Sequence, residues 1–242
     1  MNATVIIPAR YASTRLPGKM LLAETGRPLI AHVMESVAAA RRVGRVVVAT
    51  DDERIVAAVE AAGGEATLTS ADCRTGSDRV AEAADRLGLP DDAVVVNVQG
   101  DEPEFPAWCV DAVVELLEGA DAPMATLATP MTPDEADRPN MTKVVRGRDG
   151  HALYFSRVRI PHDRDGEGGV EYLLHHGVYA YRTGFLRTFA TLESTPAERA
   201  EKLEQLRALE HGYRIAVGIV DYRGARIDTP EEYAAFVART AR

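Results

Sequence analysis

Three positively charged side chains lie close together near the start of the chain. Arg10, Arg15 and Lys19 follow an apolar run, residues 4–8, which predicts a buried strand. Fixed cations and backbone N–H groups in such a loop can neutralise a triphosphate and its departing pyrophosphate. Residues 9–19 match neither the Walker A pattern nor the dinucleotide-binding G-x-G-x-x-G pattern. A solvated surface loop is the alternative, and spacing alone does not separate the two.

Two carboxylates far apart along the chain are candidates for a shared metal site. Asp101 follows the strongest strand signal, residues 93–98, and can hold Mg²⁺ against phosphate oxygens. One carboxylate rarely places a metal, so Asp101 needs a partner. Asp228, just before a predicted helix start at Pro230, is that candidate. The alternatives are a polar turn in which Glu102 caps the following helix, and a helix-capping role for Asp228, which is the better explanation when that segment is taken alone.

Three further sites carry weaker signals. Residues 75–79 precede a predicted helix, where hydroxyl groups and glycine can contact a base, ribose or phosphate, although on the sequence alone an ordinary helix cap is the better explanation. His175 and His176 are adjacent on a predicted strand and must point to opposite faces, so we expect no shared metal. Residues 204 and 205 are placed on a helix, where exposure to solvent is usual.

The elements that must position these groups alternate between strand and helix. Buried apolar strands between amphipathic helices indicate a parallel sheet covered on both faces, with ligands beyond the carboxyl ends of the strands. The predicted strands are 4–8, 45–50, 65–68, 93–98, 124–130, 142–146, 152–156, 177–182 and 215–220. The predicted helices are 28–40, 52–62, 77–87, 106–117, 197–209 and one that starts at Thr229-Pro230. Residues 163–169 are expected to form a polar loop.

Bulk properties exclude several classes of protein. The chain has 242 residues, of which 46% are apolar, and a net charge of -9. That charge argues against a nucleic-acid partner, and no apolar stretch is long enough to span a membrane. Two cysteines without metal-type spacing suggest neither a disulfide framework nor a zinc site. Without a signal-peptide pattern at the start, we expect a cytoplasmic protein.

The order and spacing of these motifs resemble those of the CMP-3-deoxy-manno-octulosonate (CMP-KDO) synthetases, the 3-deoxy-manno-octulosonate cytidylyltransferases. The similarity runs nearly end to end. It covers residues 6–19, 48–51, 96–103, 143–145, 152–157, 175–179, 203–207 and 228–231. The resemblance implies an α/β, Rossmann-like nucleotidyltransferase fold with a mixed, mostly parallel central sheet. It also implies one domain, 1–242, with a small dimerisation extension at about 130–185, and a homodimer.

The resemblance also implies roles for individual residues. The nucleotide would be bound by Pro8, Ala9, Arg10, Ser13, Arg15, Lys19, Thr75, Gly76, Ser77, Arg79 and Gln99. The catalytic groups would be Arg10, Arg15, Lys19 and Asp101, and Mg²⁺ would be held by Asp101 and Asp228. The acceptor would be bound by Gln99, Arg157, His175, Tyr179, Glu204 and Gln205.

The implied reaction is attack of an acidic acceptor on the α-phosphate of CTP, with release of pyrophosphate. Such chemistry depends on positioning and charge neutralisation, which cations and two carboxylates can supply with Mg²⁺. KDO is the first acceptor expected, and a small phosphonate or another acidic sugar such as a sialic acid is the alternative. His176 and Arg226 depart from the family pattern near the acceptor side. A non-catalytic nucleotide-binding module of the same fold is an alternative of another class.

Overall fold

The computed structural model describes residues 2–13, 15–224 and 226–240, so Thr14 of the early cationic loop lies outside the described residues. Nine strands occur in this part of the chain. They are β1 (Ala3–Ala9), β2 (Val43–Thr50), β3 (Glu65–Leu68), β4 (Val94–Asn97), β5 (Met124–Met131), β6 (Lys143–Arg146), β7 (Ala152–Ser156), β8 (Tyr172–Arg182) and β9 (Ile215–Ile219).

Nine α-helices accompany the strands in the same described ranges. They are α1 (Leu29–Ala38), α2 (Glu53–Ala61), α3 (Gly76–Arg86), α4 (Ala107–Gly119), α5 (Pro133–Ala136), α6 (Thr183–Thr191), α7 (Pro196–Glu201), α8 (Gln205–Glu210) and α9 (Pro230–Thr240). A short 3-10 turn, Lys19–Leu21, lies between β1 and α1. No helix in the described part of the chain has both the length and the apolar character needed to cross a membrane.

The strands form one mixed sheet with the order β3-β2-β1-β4-β8-β5-β9. Four of the six pairings along this path are parallel, and the two that involve β8 are antiparallel. Off this path, β6 pairs with β7 and β8. The expected α/β fold with a mixed, mostly parallel sheet is confirmed. Because β1 and β4 are parallel neighbours, the loops after both strands open at the same edge of the sheet.

Both faces of the sheet centre are buried. Along β1, Val5 and Ile7 pack into one apolar cluster, whereas Ile6 packs into a second cluster on the other face. Helices α1 and α4 supply the first cluster, and α3 and α6 supply the second. Burial on both sides explains why the strand reads as a continuous apolar run instead of an alternating one.

The predicted helix at 197–209 is wrong, because the structure has two short helices there. Helix α7 ends at Glu201 and is followed by Lys202, which has a left-handed backbone with φ 54, and α8 begins at Gln205. Good helix formers on both sides of the break hid it from a propensity argument. The sequence also gave no sign of α5 and α6, and it placed the start of β8 five residues late.

The proposed extension at 130–185 stays a prediction. The whole of β8 and the β6–β7 pair fall within it, together with α5. Residues 163–169 contain no helix or strand, as expected for a polar loop.

Candidate active site

Lys19 joins three segments that are distant in sequence. Its side chain is 9% exposed, and Nζ donates to Asp101 Oδ2 at 2.9 Å, Asp228 Oδ1 at 3.0 Å and the carbonyl of Ile227 at 3.0 Å. Gly18, just before it, has φ 68, a left-handed conformation that glycine adopts readily. All three ammonium hydrogens are therefore used, and the lysine is held in one place between two acids.

Asp101, which contacts Lys19, lies in the turn after β4. Gly100 lets that turn approach β1, because a Cβ there would lie 3.1 Å from the carbonyl oxygen of Pro8. The backbone N–H of Ile227 donates to the carbonyl of Asp101 at 2.9 Å, which fastens the turn to the segment before α9. The second carboxylate oxygen, Asp101 Oδ1, is buried and has no hydrogen-bond partner among the described residues.

Asp228 lies in the segment before α9, and its side chain does not cap that helix. Thr229 accepts the backbone N–H of Glu232 at 3.2 Å, and Glu232 accepts the N–H of Asp228 at 2.7 Å, so the cap is made without the Asp228 carboxylate. That carboxylate also accepts Arg15 at 2.9 Å. Burial by itself raises the pKa of Asp228, but Lys19 and Arg15 outweigh it and bring the pKa below its usual value.

The other residues of the early loop brace it against neighbouring segments. Arg10 donates to the carbonyl of Cys73 at 2.7 Å, and Ser13 Oγ accepts the backbone N–H of Leu16 at 3.4 Å. Pro8 and Ala9 form the end of β1. These contacts keep the loop beside the start of α3.

The segment at the start of α3 combines a helix cap with cavity-lining residues. Thr75 and Asp78 form a reciprocal capping box, as the structural alternative predicted. Gly76 and Ser77 nevertheless line the cavity described below. Arg79 is fully buried, and its guanidinium donates to Asp51 at 2.8 Å and to Thr69. These bonds tie the start of α3 to the segments that follow β2 and β3.

A cavity of about 530 Å³ is lined by residues of β8, of the turn after β4 and of the segment before α9, among them Asp228, which contacts Lys19. All six residues expected to bind the acceptor line it, namely Gln99, Arg157, His175, Tyr179, Glu204 and Gln205. Arg15, Gly76, Ser77 and Asp228 line it as well. The remaining expected site residues do not line it: Pro8, Ala9, Arg10, Ser13, Lys19, Thr75, Arg79 and Asp101.

Four of these lining residues carry buried polar atoms without a hydrogen-bond partner in the described part of the chain. They are His175 Nε2, Tyr179 OH, Glu204 Oε2 and Gln205 Nε2. Buried polar groups are nearly always paired in proteins, so such a cluster points to a polar ligand or ordered water. The break between α7 and α8 places Glu204 and Gln205 here, where sequence reasoning expected an exposed helix face.

The adjacent histidines face opposite sides of β8, as predicted. His175 stacks edge-on against Phe155, whereas His176 bonds Thr129 Oγ1 through Nε2 at 2.7 Å and lies beside Tyr222. Burial lowers the pKa of His175 well below its usual value, and the charge of Arg226 adds to the effect. His175 is therefore neutral at pH 7, when its ring can donate one hydrogen bond and accept another.

Arg157 makes contacts that the sequence did not reveal. Its guanidinium donates to the backbone carbonyls of Glu201 at 2.7 Å, Lys202 at 3.2 Å and Pro139 at 3.4 Å. It therefore ties the loop after β7 to the break between α7 and α8.

Sequence reasoning missed other cavity residues, among them Asn97, Asn140, Thr142 and Tyr181. For Asn97 a signal existed, because a polar residue ends an otherwise apolar strand beside Gln99. For Arg226 and Glu102 the sequence offered single charged residues without showing that they pair. Their ion pair, Nε to Oε1 at 2.8 Å, joins positions 124 residues apart.

Known proteins are similar to this chain in both sequence and fold. Residues 4–215 match the family model described as Cytidylyltransferase. The 3-deoxy-manno-octulosonate cytidylyltransferase of Halorhodospira halophila is 50% identical over 98% of this chain and 96% of its own length. The enzyme of the same name from an Anaeromyxobacter species is 52% identical over 96% of this chain and 93% of its own.

A solved structure agrees with the sequence comparisons. CMP:2-keto-3-deoxy-manno-octonic acid synthetase complexed with CTP superposes with a TM-score of 0.94 and 39% identity, covering 100% of this chain and 99% of that one. The chain thus belongs to the cytidylyltransferase family and, within it, to the 3-deoxy-manno-octulosonate cytidylyltransferases.

Proposed function

We propose that this protein transfers CMP from CTP to 3-deoxy-manno-octulosonate and releases pyrophosphate. The observation that carries the proposal is the meeting of Lys19, Asp101 and Asp228 at the edge of a cavity lined by unpaired polar atoms. The names of the two relatives at 50% and 52% identity support KDO as the acceptor.

The early loop would bind the nucleotide. Lys19 and Arg15 are already fixed beside two acids, and Arg10 and Ser13 hold the loop in shape. These cations would stabilise the charge that develops on the α-phosphate and on pyrophosphate, at little cost in reorganisation because they are held beforehand. Pro8, Ala9, Thr75, Gly76, Ser77, Arg79 and Gln99 would complete the nucleotide site, either by direct contact or by supporting the wall.

Asp101 and Asp228 would hold Mg²⁺. The carboxylates fit such an ion, because Asp101 Oδ1 is buried and without a partner in the described residues. Among those residues no group of three or more histidine, cysteine, aspartate or glutamate side chains is arranged for a metal. Mg²⁺ commonly uses one or two carboxylates and completes its shell with water and phosphate oxygens. When bound, it would supply positive charge to the phosphates and lower the pKa of an oxygen nucleophile.

The inner part of the cavity would bind the sugar acid. Hydroxyl groups both donate and accept hydrogen bonds, so a polyhydroxylated ligand suits the mixed set of unpaired atoms on His175, Tyr179, Glu204 and Gln205. Pairing them would recover the free energy lost when polar groups are buried alone. Gln99, whose amide donates to the carbonyl of Gly177 at 3.2 Å, stands between this region and the nucleotide side.

A panel of acceptors tests the proposed function. Purified protein is incubated with CTP, Mg²⁺ and one of KDO, a sialic acid or a small phosphonate, and product mass and pyrophosphate are measured. We expect CMP-KDO and an equal amount of pyrophosphate, with ATP giving almost none. If CMP is found on the phosphonate or the sialic acid and not on KDO, that acid is the acceptor and KDO is wrong. Equal rates with CTP and ATP would refute selection for cytosine. No pyrophosphate with any acid would favour the non-catalytic module.

We also propose a homodimer formed through the region near β7. Leu153 in β7 and Val158 just after it are 64% and 66% exposed. Large apolar side chains left exposed favour burial against another chain. A Leu153→Glu/Val158→Glu variant should have half the wild-type mass in light scattering, and a monomeric wild-type protein would refute the dimer.

A cytoplasmic location is proposed because CTP is a cytoplasmic metabolite. The two cysteines, Cys73 and Cys109, are unpaired thiols, which suits a reducing compartment. Cell fractionation tests this, and recovery of the protein in a periplasmic extract would contradict it.

A further inference from the structure

We infer that Arg226 binds the carboxylate of the acceptor, with its guanidinium positioned by Glu102 and Gly177. This inference rests on the proposed function, since it takes the acceptor to be a sugar acid. It concerns a side chain that the sequence analysis names only as a departure from the family pattern near the acceptor side.

Arg226 lies where the nucleotide and acceptor sides of the cavity meet. It lines the cavity together with Gln99, Gly177 and His175 on one side and Asp228 on the other. The side chain is 50% exposed, although the segment is anchored by Ile227, which is 1% exposed. Arg226 is therefore a partly exposed cation in the lining of the cavity.

Glu102 fixes the orientation of this arginine. The Glu102 side chain is 7% exposed, and its Oε1 accepts Arg226 Nε at 2.8 Å. A guanidinium has five N–H donors in a rigid plane, and this contact uses one of them. In the described part of the chain, Nη1 and Nη2 of Arg226 have no hydrogen-bond partner. They form the pair of parallel donors that binds a carboxylate in a bidentate manner.

Gly177 provides the space that the guanidinium occupies. A Cβ at this position would collide with Arg226 Nη2 and would lie 3.4 Å from Arg226 Cζ and from Gln99 Cγ. Gly177 lies within β8, where glycine weakens a strand unless close approach requires it. The missing side chain thus lets the cation reach the strand that carries His175 and Tyr179.

Other arginines of the cavity are already engaged. Arg157 donates to three backbone carbonyls, and Arg15 pairs with Asp228. The cavity also carries the acidic side chains of Glu204 and Glu232. An anionic acceptor that enters this surface needs cations to offset their repulsion. Lys202 also lines the cavity, and Arg226, although paired with Glu102 through Nε, offers both terminal nitrogens to a ligand.

The test compares KDO with its C1 carboxamide, which keeps the hydroxyl groups and loses the negative charge. Calorimetry measures the binding of each compound to the wild type and to Arg226→Gln. We expect the variant to bind KDO about 10- to 100-fold more weakly, the loss typical of a charged hydrogen bond. It should bind the carboxamide within about twofold of wild type. Equal losses for both compounds, or no loss for KDO, would overturn the inference.

Two further variants separate binding from folding. Arg226→Gln leaves the buried Glu102 without a cation, so the double variant Arg226→Gln/Glu102→Gln removes both charges and should keep the weakened KDO binding with a wild-type Tm. Recovery of KDO binding in this double variant would contradict a direct role for Arg226. Arg223→Gln is the matched control, because its guanidinium binds Glu135 and the carbonyl of Pro130 outside the cavity. It should bind KDO normally.

Gly177→Ala tests the positioning. It should weaken KDO binding when Arg226 is present and change nothing further in the Arg226→Gln background. Additive losses in the two backgrounds would show that Gly177 does not act through the arginine. Calorimetry does not depend on turnover, so these results stand even if the acceptor panel finds no CMP transfer, an outcome that would refute only the proposed reaction.

Discussion

At the scale of single residues, Lys19 is the side chain on which the site depends. It is nearly buried, and burial of a lone ammonium is costly. Two carboxylates and a carbonyl offset that cost, and the lysine in turn keeps two like-charged acids together. The same cation can therefore order the acids in the resting protein and face the phosphates of a bound nucleotide.

Replacing this lysine should lower turnover and weaken the binding of CTP. Lys19→Met keeps the apolar stem and removes the charge, so we expect turnover to fall about 100-fold or more and the KM for CTP to rise. Steady-state rates measured well below the Tm of the variant provide the check. Arg27→Met, which breaks an exposed pair with Glu35, is the control and should behave as wild type. An unchanged turnover and KM in Lys19→Met would remove Lys19 from the phosphate site.

At the scale of elements, the break between α7 and α8 shapes the acceptor side. Lys202 holds a left-handed backbone at the end of α7, and the chain then turns so that Glu204 and Gln205 face the cavity. Arg157 fastens this turn by donating to the carbonyl of Lys202. A continuous helix would present these two side chains differently.

Two substitutions at Lys202 test the importance of this turn, and both remove the amine. Glycine adopts the left-handed region at no steric cost, whereas valine resists it by about 1–2 kcal/mol. We expect Lys202→Gly to keep wild-type stability and the KM for the acceptor. Lys202→Val should be less stable than Lys202→Gly by about that amount and should show a higher acceptor KM than Lys202→Gly. Chemical denaturation and steady-state kinetics measure both, and equal behaviour of the two variants would contradict a role for the backbone conformation.

The sequence predicted the elements that depend on local pattern and missed those that depend on tertiary contacts. The apolar run 4–8 and the valines of β4 identify strands because both faces of the sheet are buried. The break at Lys202 is invisible in a segment without proline or glycine. It is stabilised by distant contacts, such as the 3.0 Å pair between Arg207 and Glu198 across the break and the carbonyls that bind Arg157.

In the candidate site, too, residue types were predictable from the sequence, whereas tertiary contacts were not. Arg15, Lys19, Asp101 and Asp228 were recognisable by residue type and by motif, and the structure brings them together. The partner of each group was not predictable, because pairs such as Arg226 with Glu102 join segments 124 residues apart. Single charged residues in loops carry no signal of that pairing until the fold is known.

At the scale of the whole molecule, the free energy of unfolding should depend on pH because a histidine is buried. His176 is 7% exposed, between Thr129 and Tyr222. Burial, with the charge of Arg226, lowers its pKa to about 4. The unfolded chain binds a proton at this side chain near pH 6.5, so it gains protons before the folded protein does.

The free energy of unfolding should therefore fall as the pH drops from about 6.5 to 4. The part due to His176 is about 3 kcal/mol, fully present above pH 6.5 and lost near pH 4. Urea denaturation at pH 7 and pH 4 measures it. His176→Gln, which can still bind Thr129, should lose the part of this difference that is due to His176 and keep the part due to His175, whose pKa burial also lowers. His162→Gln on the exposed loop should keep the whole difference. An identical pH dependence in wild type and His176→Gln would contradict the assignment.

The central claim is that two carboxylates from distant segments act as one unit in CMP transfer. A double-mutant cycle of Asp101→Asn and Asp228→Asn tests it most directly, with CMP-KDO formation measured at saturating CTP, Mg²⁺ and KDO. Because each acid needs the other to act, either single variant should lower turnover by about 100-fold or more, and the double variant should be no slower than the worse single one. Losses that multiply in the double variant, or near-normal turnover in Asp228→Asn, would contradict the account.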